Sequence, residues 1–513
     1  MIDFRRGSLC SVAVAIALSI ALAATAALAQ EHAGPTAGER SHPQPGQHQQ
    51  GPGILALLPA DSVTEHSIDL SGGKLVYTAT AGTFPLFEPS GERSAAVFYT
   101  AYVAKSNNPR RPLTFVFNGG PGAASAFLNL GLVGPRIAEF GMGGRDGSNV
   151  RLLDNPDTWL AFTDLVLIDP VGTGWSRPAK PDGGKAFWSV RGDAESLAKV
   201  VALYVAKNGR FGAPKYILGE SYGGFRAAKV ARALQADQGI VVSGILMISP
   251  VLESAFTFGG DRFALGAALQ LPSLVAAELE RTGTFSEEAL GEAERFALTD
   301  YLSALAGAPL AGEAAQAFYA RLARMTGLPP DVVVRSGGFI RDAYVKHLQG
   351  SEHKIVSRYD ATFAVDDPNP ESEGARAPDP FLDGFIRAYG SAFVGYAGDE
   401  LGFKTEMTYN LLNEEIAGKW DWHDGGGRAP PSVAEDLRLL LAFTPSFRLL
   451  IAHGYSDLVV PYSDSRYVLN HIPLSVDQER AALKLYRGGH MFYVDPQSRK
   501  AFTADARTIY VSP

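Results

Sequence analysis

The chain has 513 residues, 46% of them apolar, and a formal net charge of −8. A polypeptide of this length buries a large core, as one big domain with an insertion or as two to three smaller ones. Its acidic balance and its lack of a Lys/Arg stripe exclude a nucleic-acid partner.

Arg5 and Arg6 precede an apolar, Ala-rich run, and Ala27-Leu28-Ala29 fits a small-residue cleavage site. Residues 1–29 therefore read as an export signal rather than a membrane span, which sends the protein to the periplasm or outside. Cys10 is the sole cysteine and falls inside this segment. The mature chain is then expected to lack thiols and disulfides, and to take its stability from size. Residues 30–60 are rich in Pro, Gly, Gln and His and read as a disordered leader, with His42 and His48 solvated rather than holding metal.

Two hairpin-like stretches follow, "KLVYTAT" and "AAVFYTAYVA". Then come short apolar runs at 113–117, 164–169, 216–220 and 244–249, each followed by a Gly-rich or helical segment. Runs of this kind suit a parallel sheet covered on both faces. Two more strands are expected at 447–452 and 482–487. Between them, residues 251–440 break the rhythm. Helical periodicity dominates there, and Ser286 ahead of Glu287 and Glu288 reads as a helix start. Residues 366–380 read as a polar loop. The organisation expected is a core over 61–250 and 441–513, with 251–440 as a mostly helical cap insertion.

Gly219-Glu220-Ser221-Tyr222-Gly223 fits G-x-S-x-G between a strand and a helix. That context puts a serine on a sharp turn as a nucleophile, with glycines where side chains would collide. A serine hydroxyl needs a base, and the base needs an orienting acid. On a sheet-based hydrolase the chain order is Ser, acid, His. Asp457, after the penultimate strand, and His490, after the last, fit that order. His453 comes before Asp457 and from the wrong strand, so packing is the better reading. Asp464 reads as a helix cap and His423 as a loop residue. Asn118-Gly119-Gly120-Pro121-Gly122 follows a strand and lets a backbone N–H approach a substrate oxygen. Gly120 and Tyr222 are the expected oxyanion donors.

Taken together, "NGGPG" at 118–122, "NPDTW" at 155–159, "DPVGTGWS" at 169–176, "GESYGG" at 219–224, "SDLVVP" at 456–461 and "RGGHM" at 487–491 resemble the serine carboxypeptidases. The resemblance runs in order over 113–177, 215–224 and 446–495, and no motif covers the insertion. It implies an α/β-hydrolase fold, removal of C-terminal residues from peptides, and no metal or organic cofactor. It also implies that Asn118 and Glu220 bind the substrate's terminal carboxylate and that Trp175 lines the pocket for the leaving residue. Glu220 and that carboxylate would share a proton, giving an acid-leaning optimum. Two departures stand out: one acid, Asp457, where the family often has G-D-x-D, and no disulfides. Two rival readings remain: another acyl-transfer enzyme (aminopeptidase, esterase or acyltransferase) and a non-catalytic secreted binding protein. Asn118, where aminopeptidases usually carry His, argues against the first, and an intact triad argues against the second.

Overall fold

The computed structural model describes residues 53–140, 147–259, 262–424, 426, 428–473 and 480–510. The expected export signal, Cys10, His42 and His48 lie outside the described residues. Residues 53–60, assigned from sequence to the leader, differ from that expectation. Ile54–Leu57 form a 3-10 turn, and the Leu57 carbonyl accepts the Thr405 hydroxyl at 2.8 Å.

Fourteen strands are described. Three long ones open the chain: β1 (Ser62–Leu70), β2 (Gly73–Phe87) and β3 (Arg93–Ala104). Then come β4 (Leu113–Phe117), β5 (Arg136–Phe140), β6 (Val150–Asp154), β7 (Asp164–Ile168), β8 (Arg177–Pro178), β9 (Lys215–Glu220) and β10 (Gly244–Ile248). The last four are β11 (Lys354–Val356), β12 (Ala364–Asp366), β13 (Arg448–Gly454) and β14 (Ala481–Tyr486). One sheet runs β1-β2-β3-β7-β4-β9-β10-β13-β14, with β8 at the side of β3. The first three strands and β7 pair antiparallel, and β7 through β14 pair parallel.

The central parallel strands β4, β7, β9 and β10 are buried at every residue and mostly apolar because both faces are covered, while the edge strand β14 is only partly buried. In β4, Phe115 and Phe117 face one core with Leu113, while Val116 faces the other. The same alternation puts Leu449 and Ile451 of β13 on one side and Leu450 and Ala452 on the other. Helices Val190–Lys207 and Tyr222–Asp237 cover the first face, and Pro496–Tyr510 covers part of the second.

Between β10 and β13 the chain is mostly helical, and it also carries the small hairpin β11–β12. Helices Ala264–Thr282, Glu287–Phe296 and Gly312–Thr326 surround a core of their own that includes Leu271, Phe296 and Leu322. Ser286 caps the second of these, its hydroxyl accepting from the Ala289 N–H. Two other helices of this stretch complete the layers of the sheet instead. Phe381 and Phe385 of Pro380–Asp399 join one face, and Leu437 and Leu441 of Ala434–Phe443 join the other. Asp464 does not cap its helix, which starts at Tyr462. It is buried, and its Oδ2 accepts from the Thr257 hydroxyl at 3.3 Å. Among the described residues no helix is long and apolar enough to cross a membrane.

Candidate active site

The parallel strands end in loops that meet along one edge of the sheet. β9 delivers Ser221, whose backbone sits at φ 60°, ψ −125°. A non-glycine residue in that region is strained, and it persists only where its surroundings impose it. The Ser221 N–H is tied to the Ile248 carbonyl at 2.8 Å, which joins the turn to β10. The flanking glycines are there for space. A Cβ on Gly219 would lie 1.9 Å from the Gly223 carbonyl oxygen, and one on Gly223 would lie 2.6 Å from that of Phe117. Tyr222 opens the following helix, so its N–H has no carbonyl partner within that helix. Gly120, at φ +98°, lines the cleft, and its neighbour Gly119 brings the loop so near the Tyr222 nitrogen that a Cβ there would lie 2.6 Å from it.

β13 and β14 deliver the other two residues. Asp457 is fully buried, and its Oδ2 lies 2.8 Å from His490 Nδ1. Its Oδ1 accepts from the Val459 and Val460 N–H groups at 2.8 and 3.0 Å, which fixes the carboxylate plane. Burial works against a charged imidazole at His490, but the carboxylates of Asp457, Glu220 and Asp379, Asp457 foremost, together outweigh it and raise the proton affinity of His490. With Nδ1 committed to Asp457, Nε2 is the ring nitrogen left to serve a hydroxyl. His490 and Ser221 line the same cleft.

His453 is not part of this set. Its Nε2 lies 2.8 Å from the Ser465 hydroxyl, and burial pushes its pKa down to about 4. His423 lies in an exposed turn.

Asn118 and Glu220 sit on the floor of the cleft, 3% and 4% exposed. Asn118 Nδ2 donates to Glu220 Oε2, while Asn118 Oδ1 accepts from the Leu128 N–H at 3.1 Å. The Tyr493 hydroxyl donates to the two oxygens of Glu220, at 2.9 and 3.0 Å. Burial pushes the Glu220 carboxyl up to about 7; His490, Tyr493 and Asn118 pull against the rise. Below the floor, Arg226 is 1% exposed and donates to the Asn118 carbonyl oxygen. Its Nε meets Asp193 Oδ2 at 2.6 Å. Apolar side chains line most of the cleft, among them Phe127, Val251, Phe258, Leu382 and Leu412.

The sequence expectation for Trp175 is overturned. This side chain is buried away from the cleft, its Nε1–H donating to the Met407 carbonyl at 2.9 Å. It packs against Phe98, Phe393, Phe403 and Tyr409. The rest of its motif is a brace. The Ser176 hydroxyl donates to the Asp169 carbonyl at 2.6 Å, and Asp169 Oδ1 accepts from the Ser125 N–H at 2.8 Å, steadying the Gly-rich loop.

Three supports escaped the sequence reading. Tyr493 is one. Ser249, at φ +45°, donates from its hydroxyl to the His490 carbonyl at 2.9 Å. Tyr359 comes from the insertion. Its carbonyl accepts the His490 N–H at 2.6 Å, and its ring stands edge-on to the imidazole at 5.1 Å. Neighbouring bonds extend this seam: Leu458 N–H to the Arg358 carbonyl at 3.0 Å and Ala361 N–H to the Ser456 carbonyl at 3.1 Å.

The part of the chain that carries Asn118, Glu220 and Ser221 also matches known proteins. Residues 86–256 match the serine carboxypeptidase family. A relative from Arabidopsis thaliana, serine carboxypeptidase-like 35, is 25% identical over 178 residues, 33% of this chain and 36% of the relative. The chain thus matches about a third of that relative's length. Kex1, a prohormone-processing carboxypeptidase from Saccharomyces cerevisiae, aligns in structure with a TM-score of 0.52 at 14% identity. That alignment covers 85% of this chain and 91% of Kex1, and it shows the fold to be that of the α/β-hydrolases.

Proposed function

We propose that this protein is a serine carboxypeptidase that releases the C-terminal residue of peptides through an acyl-enzyme on Ser221. One observation carries the reading: a buried glutamate, Glu220, paired with Asn118 on the floor of the cleft that Ser221 and His490 line. An esterase or a general acyltransferase has no use for an acid so close to its nucleophile. A carboxypeptidase does, because an acid that keeps its proton donates a hydrogen bond to a substrate carboxylate.

In this reading the peptide's terminal carboxylate rests on Asn118 and Glu220. Ser221 Oγ attacks the last peptide carbonyl as His490 Nε2 takes its proton. The N–H groups of Gly120 and Tyr222 hold the oxyanion. The imidazolium then protonates the departing nitrogen, and the C–N bond breaks. Water, deprotonated by the same imidazole, hydrolyses the acyl-enzyme. The uncharged side chains that line the cleft, Phe127, Leu382 and Leu412 among them, favour an uncharged leaving residue.

The sign of the pH dependence follows from two groups. Glu220 must be protonated to accept a second carboxylate, so affinity holds at low pH and fades as pH rises through about 7. His490 must be neutral to act as base, so turnover falls on the acid side, below its raised pKa. The two facing groups hold one proton between them in the working state, and activity requires that it sit on Glu220. The mature enzyme is proposed to act in the periplasm or outside the cell, following the export signal.

The test compares an N-blocked dipeptide with its C-terminal amide across pH, in wild type and Glu220→Gln. Wild type should prefer the free acid and lose that preference above about pH 7, and Glu220→Gln should flatten the alkaline fall. Identical pH profiles for the two proteins would refute the shared proton. Equal rates on acid and amide would refute the carboxypeptidase reading.

A further inference from the structure

Glu220 is held by more than Asn118. The Tyr493 hydroxyl lies almost equidistant from the two carboxyl oxygens, 2.9 and 3.0 Å, and the tyrosine is fully buried. Its position is built by the fold. Tyr493 sits in the 3-10 turn Phe492–Val494, three residues after His490, so the loop that carries the base also carries the donor to Glu220. Gly131 makes the room. A Cβ there would lie 2.8 Å from Tyr493 Cε2 and 2.9 Å from the Tyr389 hydroxyl. Two tyrosines therefore share the space that one glycine leaves open beside the cradle.

The groups that face Glu220 are few. His490 and Asp457 act on it from the strand-end loops, and Asn118 comes from the loop after β4. Tyr389 of the helix Pro380–Asp399 and Tyr359 of the insertion approach with neutral hydroxyls. Only His490 among these carries positive charge, and it must be neutral when it acts. The ionised form of Glu220 then depends on hydrogen-bond donors, and Tyr493 supplies one that meets both oxygens.

We propose that Tyr493 is a positioning residue for the carboxylate cradle. Its hydroxyl fixes the Glu220 side chain against Asn118 and sets the pH at which Glu220 releases the proton that a substrate carboxylate needs. This rests on the reading of Glu220 as the carboxylate site. A donor to the carboxylate favours its charged form, so removing the hydroxyl makes Glu220 hold its proton more tightly. The alkaline edge of peptide binding therefore moves up in pH. The ordering of Glu220 is lost at the same time, which raises KM and leaves acylation chemistry alone.

The experiment uses the full-length enzyme and three variants: Tyr493→Phe, Glu220→Gln and the double variant. Each is assayed from pH 4 to 9 on a free-acid dipeptide and on a p-nitrophenyl ester that has no carboxylate. In Tyr493→Phe the alkaline edge of kcat/KM for the dipeptide should rise by about one pH unit. The change should lie in KM, and the ester profile should be unmoved. On the Glu220→Gln background, where residue 220 has no proton to release, the same substitution should leave the pH profile unmoved. Gly131→Ala supplies a second perturbation that displaces the tyrosine ring without deleting its hydroxyl, and it should move the edge in the same direction. An unmoved edge in both Tyr493→Phe and Gly131→Ala overturns the proposal while leaving the carboxylate site standing, and so does an equal shift on the Glu220→Gln background. A wild type indifferent to the terminal carboxylate overturns both.

Discussion

Arg226→Met is expected to cost about 3–5 kcal/mol of folding stability at neutral pH. The magnitude follows from where the pair sits. Arg226 Nε and Asp193 Oδ2 are 2.6 Å apart, with side chains 1% and 4% exposed. The same guanidinium lies 5.0 Å from the Tyr222 ring and donates to the Asn118 carbonyl. Methionine fills much of the volume and leaves Asp193 without its cation. Burial already holds the Asp193 carboxyl above its ordinary range, with Arg226 pulling it back. Without Arg226 the folded state keeps a proton that the unfolded chain releases near pH 4. The variant is then closest to wild type in acid. It loses ground as pH rises through the raised pKa, by up to about 1.4 kcal/mol per pH unit. Replacing both partners, Arg226→Met with Asp193→Leu, removes the buried charge and should recover most of the loss. Urea unfolding followed by tryptophan fluorescence at pH 5 and 8 measures all three proteins. The reasoning fails if the single variant stays within about 1 kcal/mol of wild type at pH 8, or if the double variant is no more stable than the single.

Asp457→Asn should retain the fold yet lower kcat by roughly 10³- to 10⁴-fold, because the amide leaves His490 in the wrong tautomer. A burst assay with an activated ester checks it, and a loss below tenfold would place the acid elsewhere. Trp175→Ala should cost about 3–5 kcal/mol in unfolding experiments. It should leave the ranking of substrates by C-terminal residue unchanged, since the indole packs under the loop and not in the cleft.

The sequence exposed the central parallel strands because their two buried faces leave nearly unbroken apolar runs, and it pointed to Ser221, Asp457 and His490 because each comes shortly after a strand. Strands β5 and β6 escaped because "RIAEF" and "VRLLD" are short, charged and only partly buried. Trp175 was misplaced for a different reason. Position at a strand end says which loop a residue occupies but not which way its side chain turns, and here Phe98, Phe393 and Phe403 offered an apolar site away from the cleft. Tyr493 reads in "HMFYVDP" as one more packing aromatic beside Phe492. Its contact with Glu220 spans 273 positions, and nothing local announces it. Tyr359 was hidden in the same way, in an insertion with no motif, because its part is played by a backbone carbonyl that any residue type supplies.

That carbonyl has a mechanical consequence. The strip from Arg358 to Ala361 is stitched to the turns carrying Asp457 and His490. A lid swinging away as one rigid piece would rip those stitches and drag the imidazole off its perch. The insertion can therefore not leave as one rigid piece while His490 keeps its place. An engineer who grafts a foreign canopy onto this scaffold has to retain that strip, or the transplant will arrive without a working base.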